Sequence, residues 1–215
     1  MIYLLDEQPS ILSSYIRELR DHNIQKDPLR LRENLKRVGF IMGYELSKQL
    51  NFKEIDIQTP LGEAQARERS TDLVLATILR AGLPMHQGLL SAFDHAENAF
   101  VSAYRKYQDD GTFDIEIEYL SSPLLTNKTV VLCDPMIASG ASMELAYRAL
   151  LKKGTPDKVI VLSVIASQPG MNKLKQVMPA NTDYYIGALD AELTAKSYIV
   201  PGLGDAGDLA FGQKS

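Results

Sequence analysis

The fold is decided by residues 130–142, which read Val-Val-Leu-Cys-Asp-Pro-Met-Ile-Ala-Ser-Gly-Ala-Ser. The apolar run that ends at Cys133 predicts a buried strand, Asp134 stands at its carboxyl end, and small residues lead into a helix that opens at Ser142. Backbone N–H groups in such a loop can turn inward, and the positive end of the helix dipole faces the same point. This layout is typical of a phosphate site. Because a carboxylate beside it suits hydroxyl groups or a divalent cation, the implied ligand is a sugar phosphate.

Outward from this stretch, apolar strands alternate with helices. We predict strands at residues 73–79, 99–104, 128–133, 158–166 and 184–189, and helices at 84–93, 143–153 and around 171–178. This order favours an α/β fold with a mostly parallel twisted sheet flanked by helices. In such folds ligands bind outside the carboxyl ends of the strands, which is where Asp134 lies.

The segments before and after this core are predicted to form additional elements of the same domain. Ser10 and Asp27 are placed to cap two amino-terminal helices. We interpret the first as peripheral, and we expect the apolar stripe of each to serve packing. Residues 54–59 begin a strand pair that predicts a β-arm. Residues 107–119 indicate a flexible hairpin or flap. We expect one domain over residues 1–215, divided into helices and arm (1–70), α/β core (71–190) and a carboxyl-terminal loop and tail (191–215).

Composition argues against several classes of function. The formal charge of −4 and the pI near 5.4 argue against a broad nucleic-acid-binding face. No apolar run approaches the roughly 18 residues of a membrane span, and no signal-peptide pattern follows Met1. The single cysteine, Cys133, rules out a disulfide framework within the chain and indicates a reducing compartment. We therefore expect a cytoplasmic protein that acts on small molecules.

Two further regions carry chemistry. Arg80 follows the strand at 73–79, and Arg105 stands at the end of the next strand, so two forked donors suited to a diphosphate lie at strand ends. Residues 198–208 read Tyr-Ile-Val-Pro-Gly-Leu-Gly-Asp-Ala-Gly-Asp. Three glycines within six residues let the backbone approach a flat ligand or bend sharply. Taken alone, this segment is equally compatible with a plain carboxyl-terminal turn.

These residues resemble those of the uracil phosphoribosyltransferases, which join uracil to phosphoribosyl diphosphate (PRPP) to give UMP and diphosphate. The resemblance spans nearly the whole chain. It is carried by Ile-Leu-Arg-Ala-Gly-Leu at 78–83, Tyr104-Arg105, Asp134-Pro135-Met136, Ala-Leu-Asp at 188–190, and above all 198–208 followed by Phe211-Gly212. A phosphate loop alone would fit several phosphoribosyltransferases, whereas the tail is similar to the uracil enzymes in particular. The resemblance implies the type I phosphoribosyltransferase fold and a role in pyrimidine salvage.

The resemblance also implies roles for single residues. Arg80, Arg105 and Asp134 are expected at the catalytic centre, with both arginines on the diphosphate. PRPP is expected to contact these residues and Asp205, together with the loop residues Pro135, Met136, Ile137, Ala138, Ser139, Gly140, Ala141 and Ser142. Uracil is expected to contact Ile199, Gly204, Asp205 and Ala206. Mg²⁺ is expected as cofactor, carried by PRPP near Asp205 without a direct protein ligand, and a homodimer or higher homo-oligomer as the assembly.

Some positions depart from the family's usual pattern. The loop reads Ala-Ser-Gly-Ala-Ser where Ala-Thr-Gly-Gly-Ser is usual, and Pro84, Gln87 and Lys106 also differ. Ala141 matters only if its position needs a positive φ or very close approach to phosphate, and we expect a negative, helical φ there. Two other interpretations stay open. One is a related transferase for another nucleobase, and the other is a regulator of the same fold that senses nucleotides or binds RNA with weak or no turnover.

Overall fold

The computed structural model describes residues 1–107 and 113–213, and for residues 103–107 and 113–116 it describes the backbone only. The helices are α1 (Ile11–Arg20), α2 (Pro28–Ser47), α3 (Leu83–Ala92), α4 (Ala141–Leu150), α5 (Gln168–Val177) and α6 (Ala206–Phe211), with a 3-10 turn at Leu151–Lys153. The strands are β1 (Ile2–Leu4), β2 (Phe52–Thr59), β3 (Gly62–Arg69), β4 (Leu73–Leu79), β5 (Glu97–Tyr107), β6 (Phe113–Ser121), β7 (Thr129–Cys133), β8 (Met136–Ile137), β9 (Lys158–Ser167), β10 (Asp183–Asp190), β11 (Glu192–Leu193) and β12 (Ile199–Val200).

Eight of the described strands form one sheet in the order β1-β10-β9-β7-β4-β5-β6, with β8 paired to β9. The neighbours along this path run parallel, apart from β5 and β6, which are antiparallel. The predicted mostly parallel α/β sheet is therefore confirmed. Because β7 lies beside β4 and β4 beside β5, the carboxyl ends of these three strands lie next to one another.

Helices cover both faces of the sheet, and successive strand residues serve opposite faces. Along β7, Val131 and Cys133 join the core cluster that includes α1, α2 and α3, whereas Val130 and Leu132 join the cluster that includes α4 and α5. This alternation explains why β7 is apolar throughout. A strand buried on both faces has no solvated side on which a polar residue could stand.

The amino-terminal helices are capped as predicted and their apolar stripes are packed as expected, but the peripheral position expected of the first helix is wrong. Ser10 accepts the N–H of Leu12, and Asp27 accepts those of Leu29 and Arg30. The apolar stripe of α2 is fully buried, at Leu35, Val38, Met42 and Leu46. Their burial against α3 and the sheet makes these helices part of the main core.

The predicted β-arm is confirmed, because β2 and β3 pair as an antiparallel hairpin whose residues are largely exposed. β5 and β6 pair on either side of the predicted flap, but its tip, Asp109 to Gly111, lies outside the described residues. Within the part of the chain that the structure describes, no helix has the length and apolarity needed to cross a membrane.

Three features differ from the sequence prediction. β1 was not predicted, because three residues carry too little pattern, yet it pairs with β10 and extends the sheet. The helix after the phosphate loop begins at Ala141, one residue before the predicted start. The tail contains the short strand β12 and helix α6, where only a glycine-rich loop was predicted.

Candidate active site

Two predicted site residues leave neighbouring strands at the same end of the sheet. Arg80 directly follows β4 and Asp134 directly follows β7, and these strands are in register up to the pair Thr77 and Cys133. Arg105 lies further along β5, where its backbone pairs with Ile115 of β6. Its side chain is not among those described, so its contact with diphosphate stays a prediction.

The phosphate loop, residues 134–142, rests on β9. The Ile165 N–H donates to the Pro135 carbonyl at 3.0 Å, and the Ser167 hydroxyl donates to the Ala138 carbonyl at 2.6 Å. Between these two bonds, β8 pairs with β9. Because its carbonyl groups are already paired with the sheet, the loop holds its conformation before a ligand binds.

Gly140 ends this loop and Ala141 begins α4. Gly140 has a φ of 77°, in the left-handed region that glycine adopts without strain. Ala141 lies inside the helix and does not have a positive φ, which confirms the expected unstrained position. The Ser139 hydroxyl accepts the Ala141 N–H at 3.4 Å. Gly140 offers no side chain to the other N–H groups of the first turn, which leaves them available to an anion.

Asp134 and Asp205 lie close enough for their charges to interact. Burial raises the pKa of the Asp134 carboxyl to about 7, a hydrogen bond from the Met136 backbone opposes the rise, and the negative charge of Asp205 adds to it. Asp205 is the N-cap residue of α6, and its Oδ1 accepts the Asp208 N–H at 3.0 Å. Carboxyl groups at this end of the sheet suit sugar hydroxyls or a divalent cation.

Arg80 connects β4 to the tail. Its Nη2 donates to the Gly212 carbonyl at 3.0 Å and lies 3.5 Å from Oδ1 of Asp208. Nε of Arg80 is buried and has no hydrogen-bond partner among the described residues. The guanidinium group is partly exposed and only loosely paired with Asp208, so most of its donor capacity remains for an anionic ligand.

The predicted uracil residues lie together in the tail. Ile199 belongs to β12, and Gly204 lies in the turn that follows. Asp205 is the N-cap residue of α6, and Ala206 is its first residue. Ile199 and Ala206 are buried. The tail is held by the amino-terminal helices, since Nη1 of Arg32 in α2 donates to the carbonyl of Ala210 in α6 at 2.7 Å. Through the Asp208–Arg80 contact, this turn faces the strand ends that carry the phosphate loop.

Some residues that shape the site were not assigned by sequence reasoning. Asp208 could have been found, because it stands one helical turn after Asp205 in the same short motif. Asp190 stands in a stretch that carries the resemblance but was given no role, and Arg20, its partner in holding the tail, carried no signal. They lie 170 residues apart in the chain and meet only in the fold.

Comparison with known proteins agrees with this geometry. The family model described as uracil phosphoribosyltransferase matches residues 7–213. A uracil phosphoribosyltransferase of Porphyromonas gingivalis is 53% identical over 210 residues, which cover 98% of this chain and 97% of that protein. A uracil phosphoribosyltransferase of Thermococcus gammatolerans is 37% identical over 215 residues, which cover 98% of this chain and 93% of that protein.

Solved structures give the same result for the fold. A protein from Aquifex aeolicus superposes with a TM-score of 0.88 at 31% identity, over 99% of this chain and 98% of that one. A hypoxanthine phosphoribosyltransferase from Staphylococcus aureus superposes with a TM-score of 0.50 at 16% identity, over 75% of this chain and 76% of that one. The second similarity indicates a shared fold alone, that of the type I phosphoribosyltransferases.

Proposed function

Because this chain belongs to the uracil phosphoribosyltransferase family, we propose that Arg80, Asp134 and the tail form the site of the family's reaction. As a member, the chain is a pentosyltransferase that transfers the 5-phosphoribosyl group of PRPP to uracil in pyrimidine salvage, which gives UMP and diphosphate. One observation carries this proposal: Asp134, at the carboxyl end of β7, is followed by a loop that leads into the start of α4, where the N-cap residue Gly140 offers no side-chain cap.

In the proposed complex, the 5-phosphate of PRPP lies in the phosphate loop against the first turn of α4. The N–H groups there and the positive end of the helix dipole favour an anion. The ribose hydroxyls donate to Asp134. Hydrogen bonds from these hydroxyl groups favour the ionised form of this carboxyl group, whereas its burial and the negative phosphate charges of PRPP favour the protonated form.

The diphosphate of PRPP lies at Arg80 and Arg105. When the bond between the anomeric carbon and diphosphate breaks, negative charge grows on the leaving group and positive charge on the ribose. Uracil N1 then bonds to the anomeric carbon as the bond to diphosphate breaks, and its proton passes to the departing diphosphate or to water. Arg80 can stabilise the negative charge of the leaving group, because Asp208, at 3.5 Å, neutralises the positive charge of Arg80 only weakly. Charge-assisted donors fixed in place before the reaction lower its barrier without further reorganisation.

Uracil is read by main-chain groups of the tail at Ile199, Gly204 and Ala206. Its ring presents two carbonyl groups with an N–H between them, and peptide groups on a tight turn offer the matching donors and acceptor. Cytosine places an amino group where uracil has a carbonyl, so donor would face donor. A buried mismatch of this kind costs about 1–3 kcal/mol or more.

We also propose Mg²⁺ as the cofactor, carried by the diphosphate of PRPP. The pair of carboxyl groups at Asp134 and Asp205 fits a hard cation that keeps most of its contacts with phosphate and water. When bound, the ion neutralises charge on the leaving diphosphate.

The assembly and location are proposals as well. The exposed apolar residues Phe52, Ile57 and Leu61 on the β-arm support a homodimer or higher homo-oligomer, because such surface normally finds a partner. The free, buried Cys133 supports a cytoplasmic location.

The proposal is tested by the release of diphosphate from PRPP and uracil in the presence of Mg²⁺. Arg80→Ala and Arg105→Ala should each lower kcat/KM by roughly 100-fold or more, the scale of one lost donor to a developing anion. Arg148→Ala is the matched control, because Arg148 pairs with Glu144 on an exposed helix surface where the interaction contributes little. If both site variants turn over like the control, the diphosphate binds elsewhere.

A further inference from the structure

Arg20, the last residue of α1, forms a forked ion pair with Asp190, the last residue of β10. Nη1 of Arg20 donates to Oδ2 and Nη2 donates to Oδ1, each at 2.9 Å. The pair is largely removed from solvent, with exposed side-chain fractions of 22% for Arg20 and 8% for Asp190. Both planar groups are therefore held in one orientation.

The same two side chains bind both main-chain polar groups of Gly202, which belong to two consecutive peptide units of the tail. Oδ2 of Asp190 accepts the Gly202 N–H at 3.0 Å, and Nη1 of Arg20 donates to the Gly202 carbonyl at 3.3 Å. Gly202 has a φ of 59°, and a Cβ at this position would lie 2.3 Å from the Ile199 carbonyl oxygen. Gly202 is thus fixed in a left-handed turn directly against Ile199.

This turn separates the residues assigned to uracil, since Ile199 precedes it and Gly204 follows it. A site that reads a base with main-chain groups cannot adjust its donors and acceptors through rotamers. Its selectivity depends on the orientation of each peptide plane, which must be set by groups outside the turn. Arg20 and Asp190 are such groups, because they bind both polar atoms of Gly202.

We propose that Arg20 and Asp190 are positioning residues that set the affinity and selectivity for uracil through Gly202. The inference rests on the proposed role of the tail in binding uracil. Neither residue has to touch a substrate. The pair acts by holding the Ile199–Gly204 turn in the orientation that matches two carbonyl groups and the N–H between them.

The test is a steady-state comparison of Arg20→Lys with the unchanged protein, with uracil and PRPP varied separately. Lysine keeps the charge but cannot span both Asp190 oxygens and the Gly202 carbonyl. We expect KM for uracil to rise about tenfold or more while KM for PRPP stays within about twofold, the pattern of a lost contribution to binding one substrate. The rate ratio of uracil over cytosine should fall as well.

Arg17→Lys is the matched control. Arg17 lies in the same last turn of α1 and is exposed, and among the described residues its guanidinium group pairs with Glu18 alone, at 3.8 Å, so neither KM should change. A merely structural role of Arg20 predicts another pattern, a lower active fraction with both KM values unchanged. An Arg20→Lys protein that folds with an unchanged KM for uracil, or with equal rises in both KM values, would overturn the proposal.

If Arg20→Lys does not fold, Asp190→Asn is measured by the same criteria. The amide oxygen of the new asparagine can still accept the Gly202 N–H. Its NH₂ group replaces the other oxygen and faces an N–H donor of Arg20, so one hydrogen bond of the forked pair is lost. Loss of the fold in both variants would make the pair a structural support and overturn the inference. Failure of the proposed function is distinguishable, because the unchanged protein would then form no UMP from uracil.

Discussion

At the scale of single residues, the burial of the Asp134 carboxyl group lowers the stability of the fold as pH rises. Its pKa rises from 3.8, the value of a free side chain, to about 7 in the fold, mainly through burial. As pH rises through this window, the unfolded chain loses its proton first, so the folded state binds more protons and stability falls. At about 1.4 kcal/mol per pKa unit, the penalty approaches about 4 kcal/mol above the upper value.

Asp134→Asn should remove this penalty. Relative to the unchanged protein, the melting temperature of the variant should be clearly higher at pH 8. It should differ little near pH 3, where the Asp134 carboxyl group is mostly protonated in both the folded and the unfolded state. Calorimetry at the two pH values measures the effect, and Asp56→Asn on the exposed β2 controls for loss of a surface carboxyl group. The same melting-temperature difference at both pH values would contradict the raised pKa. The variant should also capture PRPP less tightly, because an amide replaces the acceptor for the ribose hydroxyls.

At the scale of elements, the junction of the phosphate loop with α4 depends on one glycine. Gly140→Ala should lower stability by roughly 1–2 kcal/mol, because its φ of 77° suits glycine alone. The new Cβ would also lie 3.1 Å from the Gly170 carbonyl oxygen and 3.2 Å from Cγ of Leu174. Denaturant unfolding measures the loss, and PRPP affinity should fall with it. Stability equal to that of the unchanged protein would mean that the loop does not hold this conformation.

Ala141→Gly tests the neighbouring position, where glycine is not required because alanine is expected to be unstrained. Since Ala141 already has a helical φ, glycine there adds only conformational freedom to the unfolded chain and should destabilise by about 0.4–1 kcal/mol. Affinity for PRPP should not improve. A rise in melting temperature would show that alanine is strained at this position, and that the departure from the family's usual glycine has weakened phosphate binding.

The elements that could be predicted from sequence are those with a local pattern. β4 was predicted to the residue, because a continuous apolar run bounded by polar residues marks its ends. Ser10 and Asp27 marked their helices by local capping. β1 could not be predicted, since its three residues form a strand only through pairing with β10 at the far end of the chain. α6 is likewise defined by tertiary contacts, including Arg32 with Ala210.

At the scale of the whole molecule, the candidate site joins three distant parts of the chain. The phosphate loop and Arg80 follow from strand ends and could be predicted from the sequence, and the uracil turn followed from the resemblance of its motif. The side chains that support that turn could not be predicted from the sequence, because Arg20 in α1 reaches Asp190 and Gly202 only through the fold. The amino-terminal helices therefore support the turn proposed to bind uracil, although their sequence indicates packing alone.

The central claim is that the tail selects uracil as the base that receives the phosphoribosyl group of PRPP. The most direct measurement is the rate of nucleotide formation by the purified protein with Mg²⁺, PRPP and, in turn, uracil, cytosine, hypoxanthine and guanine. We predict UMP from uracil, with the other bases slower by about 100-fold or more, as expected when buried polar groups are left unpaired. An equal rate with a purine would contradict the account, and so would binding of UMP without any turnover of uracil.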